Sequence, residues 1–128
     1  HYKIIIIHDA SQYISEGRKL FKDYESFDSG SWNLTLRAAL YEQAWLNFGT
    51  QAGPMLTAIF QENAYTITFL NTNKLDKKTK LSSEKQFKRK LEDGFPYWND
   101  KKRIVYVDDT IENIKIAFDQ FCKERNTD

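Results

Sequence analysis

The sequence predicts an α/β fold: one small domain whose three-stranded parallel sheet is flanked by helices, in the order βαααβαβα. Two stretches carry this prediction. Residues 102–110, Lys-Arg-Ile-Val-Tyr-Val-Asp-Asp-Thr, read as a buried strand and a polar switch, and residues 111–125 continue as an amphipathic helix. Near the N-terminus, Lys3 and the run from Ile4 to Ile7 lead through His8 and Asp9 into a helix from about Ser11. Two such strand-then-helix units with right-handed crossovers imply parallel strands and an acidic carboxyl edge.

The elements follow in order. Residues 3–7 are a continuous β-branched run with no solvent face, as in a central strand covered on both sides. Ser11 suits the cap of the next helix, on which Tyr13, Ile14, Gly17, Leu20, Phe21 and Tyr24 share one face. Residues 27–31 read as a loop. Trp32, Leu34 and Leu36 alternate as in a strand, but Leu36, Leu40, Ala44 and Phe48 recur every fourth residue, so a helix is predicted from about Asn33 to Phe48. Residues 49–53 break it. Pro54 suits the first turn of another helix, with Leu56, Ile59 and Phe60 facing inward and an end at Asn63 or Ala64.

Residues 65–70 read as a strand by their β-branched and aromatic content. Residues 71–80 read as a polar, lysine-rich loop. Ser83 with Gln86 forms a capping-box pattern for a helix to about Asp93, which Gly94, Phe95 and Pro96 stop. Residues 97–102 read as a surface connection and residues 104–107 as the last strand. Asp109 with Glu112 is a second capping-box pattern. Ile111, Ile114, Phe118 and Phe121 form the expected buried stripe of the final helix.

The chain of 128 residues is enough for one domain with a core, taken as residues 1–128. Apolar residues make up 41% and aromatics 15%, a globular composition rather than a disordered one. The net charge of +1 provides no global field for nucleic acid. A single cysteine, Cys122, excludes an internal disulfide and favours a reducing compartment. No apolar run approaches the ~20 residues of a membrane span, and no signal peptide is expected. A cytoplasmic location and no membrane partner follow as expectations.

Charge is nonetheless unevenly placed. From Lys74 to Arg103 there are 11 basic residues against 5 acidic ones, a local +6. Lys85, Lys88 and Arg89, with Trp98 as a stacking platform, are the candidate contacts for a single-stranded nucleic acid. The competing reading is a solvated helix and loop, and only weak, non-specific binding is expected. Asp9, Asp108 and Asp109 fall at the carboxyl ends of two predicted parallel strands, where open α/β sheets bind ligands. Neighbouring strands would let these carboxylates hold Mg²⁺, a hard cation that prefers oxygen. The competing reading makes Asp109 a cap, Asp108 solvated and Asp9 a strand end. His8 is expected to be satisfied locally. One cysteine and two histidines leave too few ligands for zinc. No Gly-rich phosphate loop and no nucleophile elbow occur.

Two resemblances add to this. Residues 104–113, Ile-Val-Tyr-Val-Asp-Asp-Thr-Ile-Glu-Asn, resemble the fourth motif of haloacid dehalogenase-like phosphohydrolases, whose Mg²⁺-binding aspartates end a strand just before a helix. The segment from Pro54 to Phe69-Leu70-Asn71-Thr72 resembles that family's second motif. Where the family's first motif has Asp-x-Asp, this chain has Asp9-Ala10-Ser11. The N-terminal half, with Asp9-Ala10-Ser11-Gln12, a helix to Tyr24 and residues 30–40, is similar to barstar-like ribonuclease inhibitors. That resemblance implies a parallel three-stranded sheet and an acidic second helix turned to a nuclease. Here Leu34 and Ala38, with Arg37 nearby, stand where the family's acids would be.

The leading expectation is a non-catalytic cytoplasmic binding protein, of the inhibitor or immunity type, that neutralises a partner toxin or nuclease without a cofactor. Its expected contact residues are Asp28, Trp32, Asn33, Arg37 and Glu42, since large aromatics and Arg anchor interfaces. The first alternative is a divergent Mg²⁺-dependent phosphohydrolase, with Asp9 as nucleophile or metal ligand and Asp108 and Asp109 on the ion. The second is a nucleic-acid-binding module built on the basic window.

Overall fold

The computed structural model describes residues 2–16, 21–50, 53–71, 74–90 and 99–126. Strand β4 (Thr66–Phe69) organises it, with all four residues buried. Strands β3 (Asn47–Thr50) and β5 (Lys102–Val105) flank β4 and both run parallel to it. The α/β class and the three-stranded parallel sheet are as the sequence predicts.

The strands that build this sheet differ from the predicted set. Of residues 3–7, only Ile5–Ile6 form a strand, β1, and it pairs in parallel with β2 (Glu25–Ser26) in a separate two-stranded sheet. The third strand of the larger sheet is instead β3, where the sequence suggested the end of a helix and a break. The order is thus β1, α1 (Ala10–Glu16), β2, α2 (Ser29–Trp32), α3 (Leu34–Gln43), β3, α4 (Gly53–Ile59), β4, α5 (Lys77–Phe87), β5 and α6 (Ile111–Asn126).

The physical reason lies at residues 44–47. Helix α3 stops because Ala44 turns to an extended conformation, with its N–H donating to the Leu40 carbonyl. Asn47 then donates through Nδ2 to the Tyr41 carbonyl at 2.8 Å and the Tyr65 carbonyl at 3.0 Å. Its backbone N–H also bonds to Tyr65 O. One side chain ties the end of α3 to the strand pair. Asn-Phe-Gly-Thr has little strand character of its own, so pairing with β4 decides its state. At Gly49 an added Cβ would lie 2.9 Å from Met55 Sδ, so β3 and α4 approach as closely as they do because no side chain intervenes.

Local caps also differ. Asp76, not Ser83, caps α5 by accepting from the Thr79 N–H at 2.9 Å. The expected lysine loop therefore enters a helix at Lys77. Lys88, at φ 52°, ends that helix in the left-handed conformation. Thr110 Oγ1, not the Asp109–Glu112 pair, accepts from the Asn113 N–H at the start of α6. Leu20 and Leu91 lie outside the described residues.

The core has two parts. Ile67 and Phe69 pack with Ala117 and Phe121 of α6, joined by Trp45, Leu46, Tyr65, Val105 and Ile114. Of the expected α6 stripe, Ile111 is exposed and Ala117 takes a buried place. Met55, Ala58 and Ile59 of α4 pack with Tyr41; Leu56 and Phe60, expected to face inward, are exposed. Arg125 closes the first part, with its guanidinium 4.2 Å from the Tyr65 ring and 5.0 Å from the Trp45 ring. It also donates to the Trp45 carbonyl at 3.1 Å. Tyr2 stacks on the same part, its ring 4.6 Å from that of Trp45.

Removing the centre of this packing should be costly. Ile67→Ala is expected to lower stability by about 2–5 kcal/mol, read as a lower urea midpoint with the slope unchanged. A loss below about 1 kcal/mol would mean that the cluster around β4 does not hold the sheet.

Candidate functional site

The junction of α2 and α3 holds most of the expected contact residues. Asn33 caps α3, its Oδ1 accepting from the N–H groups of Thr35 at 3.0 Å and Leu36 at 3.1 Å. Gly30 lies in α2 with the Phe27 ring against it; an added Cβ would be 2.8 Å from Phe27 Cδ1. Asp28 accepts from Ser26 Oγ at 2.7 Å. Ser31 Oγ donates to the His8 carbonyl at 2.9 Å.

Arg37 is the exception to the expected set. It is only 4% exposed. Its Nε donates to the Gly30 carbonyl at 2.6 Å and its Nη2 to the His8 carbonyl at 3.1 Å. The residue therefore links α3 to α2 and to the end of β1 and presents almost no surface, which corrects its expected role as a contact anchor. A guanidinium is suited to this because its fork of fixed N–H groups can reach two carbonyls at once.

What the junction does present is apolar. Trp32 is 53% exposed, Leu34 62% and Leu36 44%, all within five residues. Glu42 is exposed near the end of α3 and Asp28 is half-buried. Leu34 and Leu36 were not expected as contacts. Their strand-like alternation with Trp32 is visible in the sequence, but the helical spacing from Leu36 onward drew them toward a core assignment.

The charge on this half is one-sided. Between residues 27 and 62 the sequence holds Asp28, Glu42 and Glu62 against the single cation Arg37. Since Arg37 is buried, the charges left on the surface there are carboxylates.

The expected carboxylate site divides. Asp9 follows β1 in the two-stranded sheet, whereas Asp108 and Asp109 follow β5 in the other. Among the described residues, no three of His, Cys, Asp and Glu come together as a metal-binding group. Asp108 instead meets Lys74 at 2.6 Å. Hydrogen bonds from Lys74 and then Asn71 hold its carboxyl below the usual carboxylate range. The same contact raises Lys74, with Asp109 adding a smaller push. Asn113 Nδ2 donates to the Asp108 carbonyl at 2.9 Å. The carboxyl edge of β4 and β5 thus gathers Asn71, Lys74 and Asp108.

The basic window is partly used up inside the fold. Lys74 pairs with Asp108, and Arg103 pairs with Glu124. Lys101 donates to Asn63 Oδ1 at 3.1 Å. Lys85 lies in the last turn of α5, Lys88 at its cap and Arg89 just beyond. Trp98 lies outside the described residues.

Lys102 is the most perturbed of these groups. It is 8% exposed and stands beside Thr66 in register. Its Nζ donates to the carbonyls of Ala58 at 3.1 Å and Gln61 at 2.5 Å, and to that of Ala64. These are carbonyls of the last turn of α4 and of the turn that leads from it to β4. The three acceptors favour the ammonium, but burial outweighs them. Desolvation, helped by the Lys101 charge, pushes Lys102 down to about 8.

No protein-family model, no curated protein and no solved structure matches this chain.

Lys102 sets a pH dependence. Its ammonium holds the proton less tightly in the folded chain than in the unfolded one, so between about pH 8 and 10.5 the unfolded state binds more protons. Stability contributed through Lys102 therefore rises with pH across that window. Lys102→Met removes both the donor to these carbonyls and the desolvation cost of the buried ammonium, so the two effects offset at neutral pH and the variant should lie within about 1 kcal/mol of wild type there. The gap between wild type and variant should widen from about pH 8 to 10.5, since all other titrations cancel. A gap that stays constant in urea unfolding across that range would contradict the burial account.

Proposed function

We propose that this chain is a non-catalytic binding domain that blocks a partner protein through the α2–α3 junction. The observation that carries this reading is the exposed Trp32, Leu34 and Leu36 on a half whose surface charges are carboxylates. Apolar anchors in a segment whose exposed charges are all of one sign suit a partner of the opposite sign. The partner chemistry is a protein with a basic surface around an apolar recess. A nuclease or another nucleic-acid-binding toxin has that character, because its own substrate is a polyanion. The similarity of the N-terminal half to barstar-like inhibitors points the same way. Among the described residues no helix is long and apolar enough to cross a membrane. A cytoplasmic place for the complex rests on the single thiol, Cys122.

A second reading is a Mg²⁺-dependent phosphohydrolase. It draws support from Asn71, Lys74 and Asp108 meeting at the carboxyl edge of the sheet. Asp9 follows a strand of the other sheet, which ranks this reading second. It requires hydrolysis of a generic phosphate ester that depends on Mg²⁺ and is lost in Asp108→Asn.

The leading reading is tested by co-expression with the basic proteins encoded beside the chain. A stoichiometric complex is expected on size-exclusion chromatography, weakening as salt is raised. Trp32→Ala should lower its affinity by about 30-fold or more, equivalent to about 2 kcal/mol. Glu42→Lys should slow association. A complex indifferent to both substitutions would place the contact elsewhere, and failure of every candidate to bind would count against the reading as a whole.

A further inference from the structure

A cleft of about 250 Å³ lies beside strand β2, lined by His8, Phe21, Lys22, Tyr24, Glu25 and Ser26. We propose that it binds a small aromatic anion, a single flat ring bearing one carboxylate or phosphate. This inference does not rest on the protein-binding reading.

The size of the cleft limits the ligand. Pockets for drug-sized molecules run to ~300–1,000 Å³, so this one suits one ring and one charged group rather than a dinucleotide. Its walls choose a flat ring. The Phe21 ring stands 5.8 Å from the buried His8 ring, at an interplanar angle of 37°. The Tyr24 N–H bonds to the Phe21 carbonyl at 3.0 Å, and that turn places a second large ring in the lining. Both rings are about half exposed, so each has a free part that a flat ring could cover.

The charge of the cleft chooses an anion. Glu25 is already paired with Lys3 at 2.7 Å. Ser26 directs its hydroxyl proton to Asp28 at 2.7 Å. Lys22 makes no ion pair among the described residues, so its ammonium is the uncompensated charge in the lining. A carboxylate or phosphate on the ligand would complete it with a charge-assisted hydrogen bond. A cation would be repelled by Lys22 and would have to compete with Lys3 for Glu25.

The probe is benzoate, followed through the ring resonances of His8 and Tyr24 by NMR in the whole chain. Saturable shifts in the millimolar range are expected, with cyclohexanecarboxylate weaker and benzylamine without effect. Phenyl phosphate in place of benzoate distinguishes the two anion types. Lys22→Glu should weaken benzoate by about tenfold or more, the effect of losing one charge-assisted hydrogen bond. Lys22 is exposed, so the fold should survive, and unchanged amide spectra would verify that. Tyr24→Ala should also weaken binding. The proposal is overturned if benzoate gives no saturable shift, if benzylamine binds as well, or if Lys22→Glu leaves the affinity unchanged.

Discussion

Strand β4 can exist only if both of its faces are covered and both of its edges are paired. Thr66, Ile67, Thr68 and Phe69 are all buried, so every backbone N–H and C=O along them must find a partner inside the protein. Strands β3 and β5 supply those partners. Ile67 and Phe69 point to α6, while Thr66 stands beside Lys102, whose ammonium reaches the end of α4. Each neighbour of β4 is therefore held by a different interaction: an asparagine at β3, an aromatic cluster at α6, a buried lysine at α4. Losing the strand would release all three.

The same dependence explains what the sequence disclosed. Residues 66–69 are legible because their own composition favours a strand; β5 is legible only from Ile104 and Val105, since Lys102 and Arg103 read as a surface connection. Helix α6 was legible because its apolar spacing is regular and its length suffices. Strand β3 was not, since Asn47-Phe48-Gly49-Thr50 is weak alone and becomes a strand only beside β4. The apolar recurrence from Leu36 to Phe48 is real, but Trp45 meets its aromatic partners from the bend that follows α3. Arg37 was misread for a related reason. A charge in an exposed-looking helix suggests a surface, and only the fold reveals two carbonyls waiting for its donors. The exposure of Leu34 and Leu36 is not legible in the sequence.

Charge tells a similar story at a longer range. Counted along the chain, residues 74–103 form a basic block. In space, Lys74 is drawn to Asp108, Arg103 to Glu124 and Lys102 into the interior. The cations nearest the sheet stabilise its edges, and those of α5 remain outside. Across residues 27–62 the reverse happens, because burying Arg37 leaves that surface more acidic than the sequence count suggests. Folding has sharpened one charge field and blunted the other.

Arg37 also joins two places that Ser31 and Ser26 already bring close. Through Gly30 it holds the short helix that ends in Trp32; through the His8 carbonyl it holds a residue whose ring walls the cleft beside β2. A guanidinium bonded to both acts as a rigid crossbar, since neither carbonyl can shift without straining its hydrogen bond to the other's anchor. Occupancy of either surface should then be felt at the opposite one. Thermodynamic linkage makes such cross-talk reciprocal: whatever factor a small ligand imposes on the partner's affinity, the partner must impose on the ligand.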